Sequence, residues 1–270
     1  MSRTDRKPAR SGARKSGAPK PAVHTASART YRAQCRPRSG EVRFQVVLEQ
    51  TDLLITAHAD LSDAAARIAR EQRGLLKAYI QLCPEFATSL VPLDAPDDAP
   101  EIVRDMCAAG RACDVGPMAA VAGAIAERVA RGLLGDGPGR TPEALVENGG
   151  DVFLCSLRER VVGLLADPAG GARLGVRLGP EDFPVALCSS SATIGHSLSL
   201  GAGELVAVRA RSGAFADAAA TALCNLLRHG EDVQRVLETA QELAPLGLDG
   251  VLAQCGPNLG AWGAMELTAL

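Results

Sequence analysis

Apolar and polar side chains alternate through residues 41–57, with Val42, Phe44, Val46 and Leu48 on one face and an apolar run from Leu53 to Ile55. A period of two over this length predicts two strands or a hairpin. The pattern then changes to a helical one. Leu61, Ala65, Ile68, Leu75 or Leu76 and Tyr79 fall on one stripe, Asp60 or Ser62 can cap it, and Pro84 stops it. Residues 92–100 (PLDAPDDAP) break the periodicity as a proline-rich, acidic connector. A short helix around Ile102 to Met106 follows, then a glycine-bearing turn at 110–117. The clearest helix is predicted over 117–134, with Pro117 near its first turn and only small residues across its first half.

Beyond it, between 144 and 178, ALVENGGDVFLCS, RVVGLLA and ARLGVRL read as three short strands joined by Gly or Asp-Pro turns, the pattern of an antiparallel meander. Strands continue at 184–188 and 204–210. Helices are expected at about 214–228 and 231–243, and closing strands at 247–254 and 263–268. Strand groups interrupted by helices, without regular βαβ alternation, predict an α+β fold. No internal repeat is present.

Composition bounds the function classes. A chain of 270 residues, 47% hydrophobic, can bury a core for one sizeable domain or two closely joined lobes. Only 3% is aromatic, so a base-stacking surface is not expected and nucleic acid is a poor candidate partner. The net charge of -2 conceals an asymmetry: residues 1–39 carry eleven Arg or Lys against the single acid Asp5. Residues 1–30 contain almost nothing apolar enough to offset ordering entropy and read as a disordered basic tail, most simply a solvated extension. Residues 31–270 form the folded domain. The tail lacks the apolar segment of a secretory signal, and no uncharged run of about 20 apolar residues follows, so a cytoplasmic protein without membrane insertion is expected.

Eight cysteines, at 35, 83, 107, 113, 155, 188, 224 and 255, show no pair at the spacing of zinc or iron–sulfur ligands and read as reduced thiols. Cys155, Cys188 and Cys224 sit in apolar contexts that predict burial. Cys107 and Cys113 flank the expected loop and are the candidates for a reactive pair.

Four segments have compositions that a core or simple loop does not require. Gly116-Pro117-Met118-Ala119-Ala120 opens a small-residue helix, where free amides attract phosphate, although tight packing also favours small residues. Glu147-Asn148-Gly149-Gly150-Asp151 has the chemistry of a hairpin turn, but its glycines also let a ligand lie against the backbone beside Asn148 and Asp151. Ser189-Ser190-Ser191-Ala192-Thr193-Ile194-Gly195-His196 is a hydroxyl-rich loop with a histidine, a residue suited to removing a proton from a hydroxyl. Asp217 and Thr221 are four apart at a helix start, so two hard oxygen donors share a face and suit magnesium. The rival account is that Asp217 complements a helix end and Thr221 bonds back to the preceding turn.

Taken together, VGPMAAVAGAIAE at 115–127, VENGGDVFL at 146–154, the Ser-Ser-x-Thr-x-Gly-His-Ser loop within 190–197 and ADAAATALCN at 216–225 resemble the ApbE family of FAD:protein FMN transferases, more closely its short, uncharacterised cytoplasmic branch. The resemblance spans about Tyr31 to Leu270. It implies an α+β fold with mixed or antiparallel sheets, flanking helices and a cleft between two lobes. It implies FAD as ligand or substrate, magnesium on Asp217 and Thr221 aided by a carbonyl near Ala119 to Ala122, and a Gly149-Gly150-Asp151 turn facing the nucleotide. The chain departs from the family pattern in having Ala192 at the loop glycine and no His-x-x-Asp-Pro phrase; by resemblance His196 is the candidate catalytic histidine, with Gly116, Ala119, Ala120, Asn148, Ser190, Ser191 and Thr193 as candidate cofactor contacts. Three functions remain open: an FAD-dependent enzyme that transfers FMN to a protein Ser or Thr or cleaves FAD to FMN and AMP, an accessory of sulfide assimilation and homocysteine synthesis that uses a thiolate, and an FAD-binding module without chemistry. A flavin-accepting protein is the partner the first implies, and a homo-oligomer stays open.

Overall fold

In the computed structural model of the protein, which describes residues 37–164, 174–191 and 204–270, the alternating N-terminal segment is a hairpin. Strand β1 (Val42–Leu48) pairs antiparallel with β2 (Thr51–Ala57), setting Phe44 opposite Ile55 and Val46 opposite Leu53, all four buried. Helix α1 (Ser62–Leu82) buries Ala65, Ala69 and Leu76, and its first amide is met by Asp60, whose Oδ1 accepts from Ser62 N at 2.9 Å.

Helix α2 (Glu101–Cys113) is longer than the periodicity predicted, and Gly110 lies inside it instead of in a turn. The glycine is there for space, because a Cβ would sit 2.7 Å from Val115 O. Asp114, in the left-handed region at φ 55°, ends the helix. The 3-10 turn Pro117–Ala120 then leads into α3 (Val121–Leu133).

The remaining elements are β3 (Ala144–Asn148), β4 (Asp151–Cys155), β5 (Arg160–Leu164), β6 (Leu174–Leu178), β7 (Val185–Ser190), β8 (Leu205–Ala210), α4 (Gly213–Leu226), α5 (Val233–Leu243), β9 (Leu248–Cys255), β10 (Asn258–Gly263) and β11 (Glu266–Ala269). An eight-stranded antiparallel sheet runs β1-β2-β3-β4-β7-β8-β9-β10, and a second sheet runs β11-β6-β5. The expected α+β class with antiparallel sheets is what the chain adopts. The meander expected over 144–178 is divided instead: ALVENGGDVFLCS is itself a two-strand hairpin, while β5 and β6 leave the large sheet to pair with β11. Strand β10 was not expected, because Asn-Leu-Gly-Ala-Trp-Gly has two glycines and no alternation.

The large sheet is covered on both faces. Phe153, Ala186, Val206, Val208 and Val251 pack with the helices, whereas Leu154, Leu187 and Leu252 pack with Val176 and Leu178 of the small sheet. Every residue of β8 is therefore buried, which removes the alternation a one-sided strand would show.

A buried ionic network fastens the small sheet to the large one. Glu143 Oε2 lies 2.7 Å from Arg158 Nη2 and 2.7 Å from His58 Nε2, while its Oε1 accepts from Ser156 Oγ at 2.6 Å and Leu157 N at 2.7 Å. Arg160, which opens β5, reaches Glu41 Oε1 at 2.5 Å and Glu143 Oε1 at 3.3 Å, and both glutamate side chains are 2% exposed. Burial alone would raise the Glu143 pKa. The Arg158, Ser156, Leu157 and His58 hydrogen bonds outweigh it and hold the carboxyl far below the usual range.

Candidate functional site

Helix α4 is anchored at its first turn from two directions. Ser212 caps it by accepting from Phe215 N at 3.3 Å, and Glu127 Oε2 of α3 accepts from Gly213 N at 2.7 Å. The two helices approach through glycine: a Cβ on Gly123 would lie 2.1 Å from Gly213 O, and one on Gly213 would lie 2.4 Å from Gly123 O. Contact this close brings Asp217, one turn into α4, against the first turn of α3. There its Oδ2 accepts from Gly123 N at 2.9 Å, and the Ala122 amide also donates to the carboxylate. Asp217 thus meets the positive end of α3 and not of its own helix, a pairing that sequence alone did not reveal. Thr221 lies one turn further on the same face, and both residues are 8% exposed.

A variant with Gly123→Ala should lose about 1–3 kcal/mol of stability or more, because the added methyl forces the helices apart. Chemical denaturation would measure it, and a midpoint unchanged from wild type would contradict the glycine contact.

The second wall of the site is the β3–β4 hairpin. Gly149 and Gly150 adopt φ 73° and 115°, as a two-residue turn between Asn148 and Asp151 requires. Asn148 Nδ2 donates to Ala122 O at 3.0 Å, tying the turn to the start of α3. Gly150 N donates to Glu147 Oε1 at 3.1 Å. Asp151 Oδ1 accepts from Ser189 N at 3.2 Å, and Ser189 Oγ donates to Gly150 O at 3.1 Å. The buried Cys188 thiol donates to Asp151 and lies 3.7 Å from Gly213 O. Ser190 is 5% exposed, and its hydroxyl has no partner among the described residues. Ser191 follows it.

Burial pushes the Asp217 carboxyl up to about 7 against the opposing Gly123 and Ala122 amides. It also lifts Asp151 well above the carboxylate range, with the Asp217 charge adding to the effect. Neither carboxylate has an Arg, Lys or His hydrogen-bond or ion-pair partner among the described residues. Two buried carboxylates within electrostatic reach of each other, with a threonine hydroxyl one helical turn from Asp217, are oxygen donors that suit a hard cation. No group of three His, Cys, Asp or Glu side chains that would cage a metal by itself occurs among the described residues.

The structure brings together Asn148, Gly149, Gly150, Asp151, Asp217 and the start of α3, while Ser190 lies on β7 two residues beyond Cys188, on the same face of the strand. Ala119 and Ala120 belong to the 3-10 turn just before it. Gly116 is small for packing, since a Cβ would lie 1.9 Å from Ser89 O. His196 and Thr193 lie outside the described residues. The proposed reactive pair needs correction: Cys107 and Cys113 both lie in α2 and are buried, and burial pushes their thiols up to about 11 and about 12. Cys155, Cys188 and Cys224 are buried as expected. The contacts of Glu127 and Cys188 were missed. Their only sequence signals were an acid one turn after Gly123 and a cysteine preceding the serine run.

A family model described as "AbpE bacteria" matches residues 32–257. Among curated relatives, the "UPF0280 protein MJ1526" of Methanocaldococcus jannaschii is 38% identical over 225 residues, covering 81% of this chain and 89% of its own length. The "UPF0280 protein MK0206" of Methanopyrus kandleri is 39% identical over 205 residues, covering 74% and 80%. Among solved structures, the ApbE protein of Thermotoga maritima aligns with a TM-score of 0.49 at 14% identity, over 83% of this chain and 97% of that one. The "Flavin Transferase ApbE from Vibrio cholerae" aligns with a TM-score of 0.45 at 14% identity, over the same shares.

Proposed function

Because the chain belongs to the AbpE bacteria family, the ApbE-like group its four phrases pointed to, we propose that it binds FAD with magnesium at the Asp217 site. It then either transfers FMN to a Ser or Thr of a target protein or cleaves FAD to FMN and AMP. The observation that carries this reading is the buried pair Asp151 and Asp217, both pKa values raised and neither matched by a basic side chain among the described residues. Such a pair calls for protons or a cation.

Asp217 and Thr221 supply the oxygens, and the Gly123 and Ala122 amides hold the Asp217 carboxylate in place. Asn148 is locked to Ala122 O, and the two glycines of the hairpin, having no side chains, let the nucleotide lie against the turn. A bound magnesium ion would neutralise charge developing on the pyrophosphate. In the transfer, the acceptor oxygen loses its proton to a base, for which His196 is the candidate, and bonds to the FMN phosphorus. The bond to AMP breaks, and AMP leaves with its electron pair. The same reading makes the protein cytoplasmic and its partner a flavin-accepting protein. Among the described residues no helix is long and apolar enough to cross a membrane. The sulfide-handling alternative gains little, because every resolved thiol shift is upward, from Cys107 to Cys255.

Purified protein incubated with FAD, magnesium and a Ser- or Thr-bearing acceptor should release AMP. Asp217→Asn should lower that rate about a hundredfold or more, since several kcal/mol of charge stabilisation is lost. Absence of both AMP and flavin-labelled protein with every acceptor tried would reject the enzyme. FAD binding indifferent to magnesium and to Asp217→Asn would point to a module without chemistry.

A further inference from the structure

We propose that Glu127 is a positioning residue for the cation pair: it holds helix α4 in register against α3, so that Asp217 and Thr221 face the site. The inference rests on the reading of Asp217 and Thr221 as cation ligands. Hydrogen bonds at two levels join the helices like rungs. Gly123 N donates to Asp217 Oδ2 at 2.9 Å, and Gly213 N donates to Glu127 Oε2 at 2.7 Å. Glu127 is four residues after Gly123, and Gly213 is four before Asp217, so the rungs are one turn apart on each helix. The Gly123–Gly213 contact leaves no space for a side chain to replace either rung.

Glu127 is itself held. Its Oε1 accepts from Arg131 Nε at 2.7 Å, and the Arg131 guanidinium lies 5.1 Å from the ring centroid of Phe153, two residues beyond Asp151 on β4. The Glu127 side chain is 17% exposed. One glutamate thus links, directly or through Arg131, the two elements that carry the buried carboxyls. Without it, the Gly213 amide loses its acceptor and α4 keeps only the Ser212 cap at its start. Asp217 is then oriented from one side alone.

The operative feature is the accepting oxygen, which separates this role from a simple contribution of negative charge. Glu127→Gln keeps an oxygen at the same reach and removes the charge. Glu127→Ala removes both, and Glu127→Asp draws the carboxylate back by one methylene.

The test uses Mn²⁺, a hard cation suited to the same oxygen donors, and follows free Mn²⁺ by electron paramagnetic resonance in titrations of the full chain. Glu127→Ala should weaken Mn²⁺ binding about tenfold, in the range for losing an outer-shell partner of a metal site, while Glu127→Gln stays within about threefold of wild type. If the alanine variant does not fold, Glu127→Asp carries the same expectation of weakened binding. Unchanged affinity in the variants that lose the acceptor, or equal weakening in Glu127→Gln, overturns the inference. Asp217→Asn keeps the failures distinct. If it binds Mn²⁺ like wild type, or wild type does not bind, the cation reading fails; if only Asp217→Asn loses binding, that reading stands and the role of Glu127 falls.

Discussion

Asp217→Asn should raise the melting temperature of the protein in EDTA at pH 8 by about 5 °C, on the scale of 2–4 °C per kcal/mol for a domain of this size. Burial raises the folded pKa of Asp217 from 3.8 to about 7. The folded state therefore holds a proton more tightly than the unfolded chain. Stability falls as pH rises from about 4 through about 7, and above that the folded protein carries a desolvated charge that, among the described residues, has no basic side chain beside it. Asparagine removes the charge and retains an oxygen for the Gly123 amide. Wild type in EDTA should accordingly lose stability between pH 5 and pH 8, with a flatter profile for the variant. Magnesium at pH 8 should reverse the order, since it stabilises only the protein that binds it. Differential scanning calorimetry at both pH values, with and without magnesium, reads all of this. A lower melting temperature for Asp217→Asn in EDTA at pH 8 would mean that capping α3 outweighs the charge.

Glu143→Ala is expected to be strongly destabilising, costing about 3 kcal/mol, because it leaves Glu41 as the one carboxylate beside buried Arg160 and half-exposed Arg158 among the described residues and removes the acceptor of Ser156 Oγ and Leu157 N. At the same scale the melting temperature falls by about 10 °C. The pH dependence is opposite to that of Asp217. The Glu143 pKa is lowered by folding, so its contribution is fully present above the unfolded value of about 4.5 and is lost as pH falls toward the folded one. Urea denaturation at pH 7 and pH 4 should show wild type weakening in acid and Glu143→Gln changing less. A variant that melts with wild type would show that the network is dispensable.

The contrast between these carboxylates shows what the sequence disclosed. Hairpin β1–β2, helix α1 and helix α3 were legible because one period governs each and one face of each is buried. The path of β5 and β6 was not, since strands with the same pattern can join either sheet; their destination depends on β11, about 90 residues later in the chain. Asp217 and Thr221 were legible as neighbours because one helical turn fixes their spacing. The proximity of Asp217 to Asp151 and to the Gly123 amide, 94 positions away, comes from tertiary packing through glycines that alone gave only a weak signal. Gly110 shows the limit from the other side: glycine as a breaker predicted a turn, and a close backbone contact placed it within a helix.

The large sheet stays open, leaving β1 and β10 as its two margins. Among the described residues, no further strand extends either one. An open margin is a template on which a second chain could add, the first step toward aggregation. Here the outer strands are poor templates: β1 carries Arg43 and Gln45, and β10 is interrupted by Gly260 and ends at Gly263. The features that hid β10 from pattern reading also make it a poor seed for intermolecular pairing.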